Sequence, residues 1–200
     1  MMFLGLGGVM GRGYTIFDTA IGRSAIVRSD AGIVGVHLPE AREIDTRRRV
    51  YQLYPDARET RPPVNAGIAI EAIATLLRGE ASDFNDVILD MRGIHVFNQR
   101  VYELTRLVPR GETRTYGDIA MRLGAPSAAR SVAQAIAKNP FMIIVPCHRV
   151  LEAGDYGDQI SPHGGTISKR HLLSIEGAHP ARNKTLFDAL LPVAPPRPHN

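Results

Sequence analysis

Residues 116–138 read YGDIAMRLGAPSAARSVAQAIAK and decide the fold of the second half of this 200-residue chain. The pattern predicts two short helices, over 116–123 and 128–138, with a tight turn at 124–126 between them. Ser127 stands where its hydroxyl would cap the second helix. Two short helices joined by a glycine-containing turn are the outline of a helix-turn-helix, a unit typical of DNA-binding proteins.

The second helix carries Arg130 as the only long side chain of its first turn. The residues predicted to face outward beside this arginine are all small, namely Ala128, Ala129, Ser131 and Ala135. Small side chains would let the helix backbone approach another surface closely. An alanine-rich helix packed on its neighbours would have the same composition, so both interpretations remain open.

The residues before this unit predict a smaller region of mixed structure. Runs at 14–19, 23–28 and 33–38 predict a three-stranded antiparallel meander, because each is rich in β-forming residues and ends at a turn. A helix is predicted over 64–77, with an apolar stripe of Val64, Ile68, Ala72, Leu76 and Leu77. The further expectations are a short helix or a loop at 39–51, a loop at 54–63 and an edge strand at 86–90.

Helical patterns resume beyond residue 90, at 97–108 and at 168–175. We therefore predict a sheet-and-helix domain at 1–90, a helical domain at 91–180 and a proline-rich tail at 181–200. The fold class is α+β, with a small antiparallel sheet in the amino-terminal domain and a mostly helical carboxyl-terminal domain.

The composition limits the chemistry. Cys147 is the only cysteine, which excludes an internal disulfide and zinc sites built from several cysteines, and it suits a reducing cytoplasm. The apolar residues 1–10 are too few to cross a membrane. Lys and Arg number 14 against 8 Asp and Glu in residues 91–200, whereas residues 1–90 have 10 against 12. The positive half attracts polyanions such as nucleic acid, although many basic surfaces are only solvated.

The single cysteine lies in the sequence VPCHR, residues 145–149. A thiol attacks effectively only as the thiolate, so a nucleophilic site needs a base or a lowered thiol pKa. His148 is a candidate base, reached through a turn or a bridging water, and Glu176 would hold the imidazole as in a catalytic triad. The alternative is a buried cysteine that acts as a small hydrophobe beside a surface histidine.

A series of motifs follows in the second half of the chain: PRGETRTYGDIA at 109–120, AARSV at 128–132, Asn139-Pro140, VPCHRV at 145–150, and Gly164-Gly165 followed by Lys169, Leu172-Leu173 and Glu176-Gly177. In order and spacing they resemble the O6-alkylguanine-DNA alkyltransferases, also called methylated-DNA-protein-cysteine methyltransferases. Residues 1–90 match only in outline, as the small ribonuclease H-like domain of that family. The resemblance implies a winged helix-turn-helix-like second domain and DNA repair by single-turnover transfer of an alkyl group after base flipping.

The resemblance also implies a role for each matching residue of the cysteine loop. Cys147 would accept the alkyl group, and His148 would act through a water as its base. Glu176 would polarise His148, while Asn139 would brace the turn before the cysteine.

The implied contacts with DNA come from the helix-turn-helix and the residues after the cysteine. Arg130 would replace the flipped base in the stack, on a helix whose small residues Ala128, Ala129 and Ser131 approach the minor groove. Tyr116 would press on a phosphate and donate a hydrogen bond to the base. The carbonyls of Cys147 and Val150 would bind the guanine amino group, with a backbone amide from His163 and loop closure at Gly164.

The chain departs from the family pattern in that loop. Pro162 and His163 stand where an aromatic and a small residue usually precede the paired glycines, and the loop after the cysteine is longer. Whether Tyr156 replaces the missing aromatic is left open. Ala133 occupies a position where glycine is usual.

The implied partner is double-stranded DNA containing O6-alkylguanine. We expect no cofactor, no metal, no membrane contact and no obligate protein partner, for a monomer in the cytoplasm. Two alternatives remain: a lesion sensor that flips the base without transfer, whose relatives lack the acceptor cysteine, and a cysteine hydrolase, which leaves Tyr116 and Arg130 without a role.

Overall fold

The amino-terminal half contains a small sheet. The computed structural model describes residues 11–155 and 167–178. Strands β1 (Gly13–Thr19), β2 (Gly22–Arg28) and β3 (Ile33–His37) form the predicted antiparallel meander. A further strand, β4 (Arg58–Glu59), pairs in parallel with β1, so the sheet order is β3-β2-β1-β4. The segment predicted as a loop at 54–63 therefore contributes two residues to the sheet edge.

Two helices accompany the sheet, α1 (Glu43–Leu53) and α2 (Val64–Leu77), and α2 has the predicted bounds. Its predicted apolar stripe is partly wrong, because Val64 is 81% exposed and Ile68 is 43% exposed. The buried face consists of Ala66, Ala69, Ile73, Leu76 and Leu77. The pattern gave too much weight to large side chains, whereas α2 packs beside β1 and β2 partly through small alanines.

The edge strand predicted at 86–90 is wrong in extent. Only Leu89 forms a bridge there, in parallel with Ile33 of β3. The Ile33 N–H donates to the carbonyl of Ile88 at 3.0 Å, and the Asp90 N–H donates to the carbonyl of Ile33 at 2.7 Å. This segment therefore touches the sheet at a single point on its way to the second half.

The second half is mostly helical, as predicted. Its elements are α3 (Val96–Arg106), β5 (Arg114–Thr115), α4 (Tyr116–Arg122), α5 (Ala129–Ala137), β6 (Val150–Leu151) and α6 (Lys169–Ile175). β5 and β6 pair in parallel, and α4 and α5 are the two helices predicted from residues 116–138. A capping box begins α4, in which the Thr115 side chain accepts from the Asp118 N–H and the Asp118 side chain accepts from the Thr115 N–H.

The start of α5 differs from the prediction. Ser127 lies inside a 3-10 turn, Pro126–Ala128, and the residue before α5 is Ala128, which makes no side-chain cap. Pro126 presets its own φ for the first position of that turn, so the chain turns before the serine reaches a capping position. Ala135 was predicted to face outward, but it is buried and its carbonyl accepts a hydrogen bond from Tyr102 of α3 at 3.0 Å.

The buried apolar side chains of the two halves form one continuous cluster. It joins residues of the sheet and α2, such as Ile33 and Ile73, to residues of the helical half, such as Val101 and Ile136. The Val36 N–H also donates to the carbonyl of Pro140 at 2.8 Å. The division at residue 90 stays a prediction, and the tail at 181–200 lies outside the described residues. Among the helices of 11–155 and 167–178, none is long and apolar enough to cross a membrane.

Candidate active site and DNA-binding surface

Two consecutive γ-turns lead the chain into Cys147. The Ile144 N–H donates to the carbonyl of Met142 at 2.9 Å around Ile143, whose φ is +71°. The Cys147 N–H donates to the carbonyl of Val145 at 2.7 Å around Pro146, at φ −76° and ψ 66°. A β-branched residue at positive φ costs about 1–3 kcal/mol and persists only where the surrounding structure holds it. The backbone before the cysteine is therefore strained and imposed by its neighbours.

Asn139 supplies two of the hydrogen bonds that hold this loop. Its Nδ2 donates to the carbonyl of Val145 at 3.0 Å, and its Oδ1 accepts from the Phe141 N–H at 2.9 Å. Asn139 is completely buried, so both bonds are shielded from water. One side-chain amide thus ties the beginning of the loop to the residue two positions before the cysteine.

Cys147 and His148 are the first two residues of a 3-10 turn, Cys147–Arg149. This is the kind of turn that a functional Cys-His pair requires. Cys147 and His148 are both fully buried. The Cys147 sulfur lies 3.6 Å from the Met142 sulfur, so the acceptor candidate is packed against a polarizable side chain.

A buried ion network holds the imidazole. His148 Nε2 lies 2.8 Å from Glu176 Oε1. Arg149 donates from Nε to Glu176 Oε2 at 3.0 Å and from Nη2 to Glu176 Oε1 at 2.8 Å. Its Nη1 donates to the carbonyl of Val108 at 2.6 Å, which anchors the guanidinium to the segment after α3. The Glu176 carboxylate therefore accepts hydrogen bonds from both His148 and Arg149.

The charges of this network have definite directions. Burial by itself would raise the pKa of Glu176, but the hydrogen bonds from His148 and Arg149 and the positive charge of Arg149 outweigh it and lower that pKa to about 2. Burial lowers the pKa of His148 below 6.5, against the opposing effect of Glu176. At neutral pH the site therefore contains an ionised carboxylate, a guanidinium and a neutral imidazole.

This protonation state assigns the tautomer of His148. An ionised carboxylate can only accept, so the histidine donates to Glu176 from Nε2 and its lone pair lies on Nδ1. Nδ1 is buried and makes no hydrogen bond to the described residues. The imidazole thus has one nitrogen fixed by Glu176 and the other basic, which is the state a general base needs.

Lys169 lies on the other side of the cysteine turn. Its Nζ donates to the carbonyl of Val150 at 3.0 Å, lies 3.3 Å from the Tyr116 hydroxyl and sits 5.6 Å from the centre of the Tyr116 ring. The Val150 N–H in turn donates to the carbonyl of Cys147. A buried lysine thus joins α6, the tyrosine at the start of α4 and the strand that follows the cysteine.

A cavity of about 450 Å³ opens beside this tyrosine. It lies between α4, α5 and the end of β6, and its walls include Tyr116, Gly117, Ala129, Arg130, Ala133 and Glu152. The small residues of α5 create the space, since larger side chains would fill it. The volume falls in the range of sites that take small organic groups, and a nucleobase is such a group.

Arg130 is exposed at this cavity, in the first turn of α5. Across the described part of the chain it makes neither a salt bridge nor a side-chain hydrogen bond, so its charge faces solvent. Ser131 beside it is exposed, whereas Ala128 and Ala129 are half-buried. Arg130 is therefore free to reach a polyanion that approaches the two-helix unit.

Comparison with known proteins gives the chain its relatives. Residues 96–178 match the model of the DNA-binding domain of 6-O-methylguanine DNA methyltransferase. The methylated-DNA-protein-cysteine methyltransferase of Mycolicibacterium paratuberculosis is 41% identical over 143 residues, which cover 70% of this chain and 84% of the relative. The chain belongs to the O6-methylguanine DNA methyltransferase family. The enzyme of the same name from Mycobacterium leprae is 42% identical over 142 residues.

Solved structures agree with this family membership. The crystal structure of Mycobacterium tuberculosis O6-methylguanine methyltransferase superimposes with a TM-score of 0.65 at 34% identity, covering 88% of this chain and 99% of that one. The structure of Mycobacterium tuberculosis OGT in complex with DNA gives a TM-score of 0.60 at 32% identity, covering 82% and 93%. These superpositions confirm the α+β fold that the sequence predicts for this O6-methylguanine DNA methyltransferase.

The structure brings most of the residues expected in a methyltransferase site together. Cys147, His148, Glu176 and Asn139 lie in one buried loop network, and Tyr116 and Arg130 line one cavity. His163 and Gly164 lie outside the described residues, as do Pro162 and Tyr156.

Sequence reasoning missed two side chains of this methyltransferase site, Lys169 and Arg149. Both side chains are basic, and basic side chains are almost always exposed unless they are paired. No local sequence pattern therefore predicts that these two are buried. For Lys169 the available signal was its place in the family motifs. For Arg149 it was the position directly after the Cys-His pair.

Proposed function

We propose that this protein is a methylated-DNA-protein-cysteine methyltransferase that repairs duplex DNA by moving the alkyl group of O6-alkylguanine onto Cys147. The observation that carries the proposal is the buried hydrogen bond between Glu176 and His148. His148 directly follows the only cysteine of the chain. The two-helix unit beside it, with its exposed Arg130, supplies a surface for DNA. A cysteine hydrolase would use the network but not that surface.

The lesion must leave the helix before the sulfur can reach it, because Cys147 is buried inside the protein and a stacked, paired base cannot enter its site. Arg130 enters the stack in place of the extruded guanine and offsets part of the unstacking cost. Tyr116 is the first residue of α4 and lines the cavity of about 450 Å³ beside Arg130. In the proposed complex it contacts the neighbouring phosphate and the flipped base. Ala128, Ala129 and Ser131 let α5 approach the groove closely.

The transfer is a displacement at the alkyl carbon. The Cys147 proton passes, directly or through a water, to Nδ1 of His148, and the resulting thiolate forms the sulfur-carbon bond as the carbon-oxygen bond to guanine breaks. The electron pair of that bond stays with the guanine, which takes up one proton from water as the imidazolium releases the proton that it received from Cys147. Glu176 stabilises the imidazolium that forms, as the carboxylate does in a triad. The thioether product is not hydrolysed, so each molecule acts once.

The carbonyls of Val150 and Cys147 remain the proposed acceptors for the guanine amino group. In the structure Lys169 occupies the Val150 carbonyl, so the arriving base shares or replaces that contact. His163 and Gly164 are proposed to close over the base, and Asn139 to brace the cysteine turn. The residues of the site suffice for this chemistry without a cofactor, and we place the protein as a monomer in the cytoplasm.

Intact-mass spectrometry after incubation with excess O6-methylguanine duplex tests the proposal. We expect one methyl group per protein molecule, mapped to Cys147, and none in Cys147→Ser, which should still bind DNA. His148→Ala should slow the transfer, whereas His171→Ala, an exposed histidine of α6, serves as the matched control and should not. Repeated turnover, or an unmodified Cys147 in folded protein, would contradict the assignment.

A further inference from the structure

We infer that Arg110 positions Glu176, and through it His148, so that the amino-terminal half of the chain supports the transfer site; this inference rests on the roles proposed above for those two residues. Arg110 lies between α3 and β5 in the chain. Its Nη2 donates to the carbonyl of Gly79, just after α2, and makes a longer hydrogen bond of 3.5 Å to the carbonyl of Ile175, the last residue of α6.

The Ile175 carbonyl belongs to the last residue of α6, and the Gly79 carbonyl lies two residues after the last residue of α2. The last carbonyls of a helix have no donor within it, and the helix dipole is negative there, so a guanidinium is a favourable partner. A Cβ placed on Gly79 would lie 3.4 Å from the Ile175 carbonyl oxygen, which shows how closely the two helix ends approach. Arg110 therefore joins the end of α2 to the end of α6.

Glu176 is the next residue after Ile175 and is the C-cap residue of α6. The segment 108–110 therefore reaches this carboxylate by two routes. The Val108 carbonyl accepts from Arg149, which donates to Glu176, and the Arg110 guanidinium holds the backbone one residue before Glu176. If α6 shifted on loss of Arg110, the Glu176 carboxylate would move away from His148. In the structure Glu176 Oε1 lies only 2.8 Å from His148 Nε2.

Arg106 offers a matched comparison within the same structure. It also joins the two halves, because its Nη2 donates to the carbonyls of Phe84 at 2.6 Å and Val87 at 3.4 Å. Among the described residues it makes no hydrogen bond or salt bridge to α6. Loss of Arg106 therefore removes a similar link between the halves without touching the carboxylate.

The test measures the single-turnover transfer rate at saturating O6-methylguanine duplex, and DNA affinity in a Cys147→Ser background. Arg110→Ala should slow transfer roughly tenfold, because a misplaced acid-base group costs one to two decades, with DNA affinity unchanged. Arg106→Ala should leave the transfer rate unchanged. Arg110→Lys, which keeps a charged donor, should fall between wild type and Arg110→Ala.

A double variant separates positioning from general destabilisation. In a Glu176→Gln background, which is itself slow, Arg110→Ala should cause no further loss, since the residue acts through that carboxylate. Equal slowing by Arg106→Ala, or full additivity of Arg110→Ala with Glu176→Gln, would overturn the inference alone. Wild-type transfer by Glu176→Gln would instead remove the proposed role of Glu176, and with it the basis of the inference.

Discussion

Replacing Asn139 by alanine tests how much of the stability depends on the loop before the cysteine. Asn139→Ala leaves the Phe141 N–H buried without its partner and removes one of the two hydrogen bonds that the Val145 carbonyl accepts, the other coming from the Cys147 N–H. An unsatisfied buried group costs about 1–3 kcal/mol and a lost hydrogen bond about 1 kcal/mol, so we expect a loss of about 3 kcal/mol in the free energy of unfolding. That is a large part of the roughly 5–15 kcal/mol typical of a folded domain. For a chain of this size it lowers Tm by about 10 °C.

Asn65 provides a control with the same chemistry in a wetter place. Its Nδ2 donates to the carbonyl of Ile88 at 3.0 Å and its Oδ1 accepts from the Ile88 N–H at 2.9 Å, but Ile88 is 60% exposed. Water can replace both bonds, so Asn65→Ala should cost about 1 kcal/mol or less. Urea unfolding followed by circular dichroism measures both variants. Equal losses would refute the reasoning that burial of the cysteine loop sets the cost.

Two further predictions concern charge. The pKa of Glu176, lowered from 4.5 to about 2, means that its ionised form contributes stability that is complete above pH 4.5 and lost as the pH falls toward 2. The difference in urea midpoint between wild type and Glu176→Gln should therefore shrink across that window, and a constant difference would contradict the ion network. Arg130→Ala should slow transfer from duplex DNA at least about tenfold yet leave the reaction with free O6-benzylguanine unchanged, because only the duplex needs a base replaced in its stack. Lys138→Ala, at the other end of α5, should have a smaller effect on duplex transfer, and equal effects would point to charge alone.

The strands and turns of the amino-terminal half were readable from sequence because each turn has a local cause. Gly22 and Gly32 adopt φ values of +122° and +153°, which other residues rarely reach, and β2 and β3 begin at or directly after these positions. The packed face of α2 was not readable in the same way. Alanine is compatible with either face of a helix, so only the packing of α2 against the rest of the fold decides the burial of Ala66 and Ala69.

The residues of the candidate site also divide into those that the sequence predicts and those that it does not. The Cys-His pair and the arginine of the second helix stand out in the sequence as local motifs. The contacts of Lys169 and Arg110 join residues far apart in the chain: Val150 for the first, Gly79 and Ile175 for the second. Such contacts depend on how finished helices dock, and no periodicity of a single segment encodes them. The positive φ of Ile143 is a further example, because its cause is tertiary.

The burial of Cys147 has a consequence for a protein that reacts only once. A sulfur open to solvent would be consumed by any small electrophile that diffused past, and each such loss would leave one lesion unrepaired. Here the sulfur is fully covered, and Lys169 already engages the backbone carbonyl beside it. Reactivity is thereby limited to an electrophile that the site binds, such as an alkylated guanine, so fewer acceptor molecules are lost to side reactions.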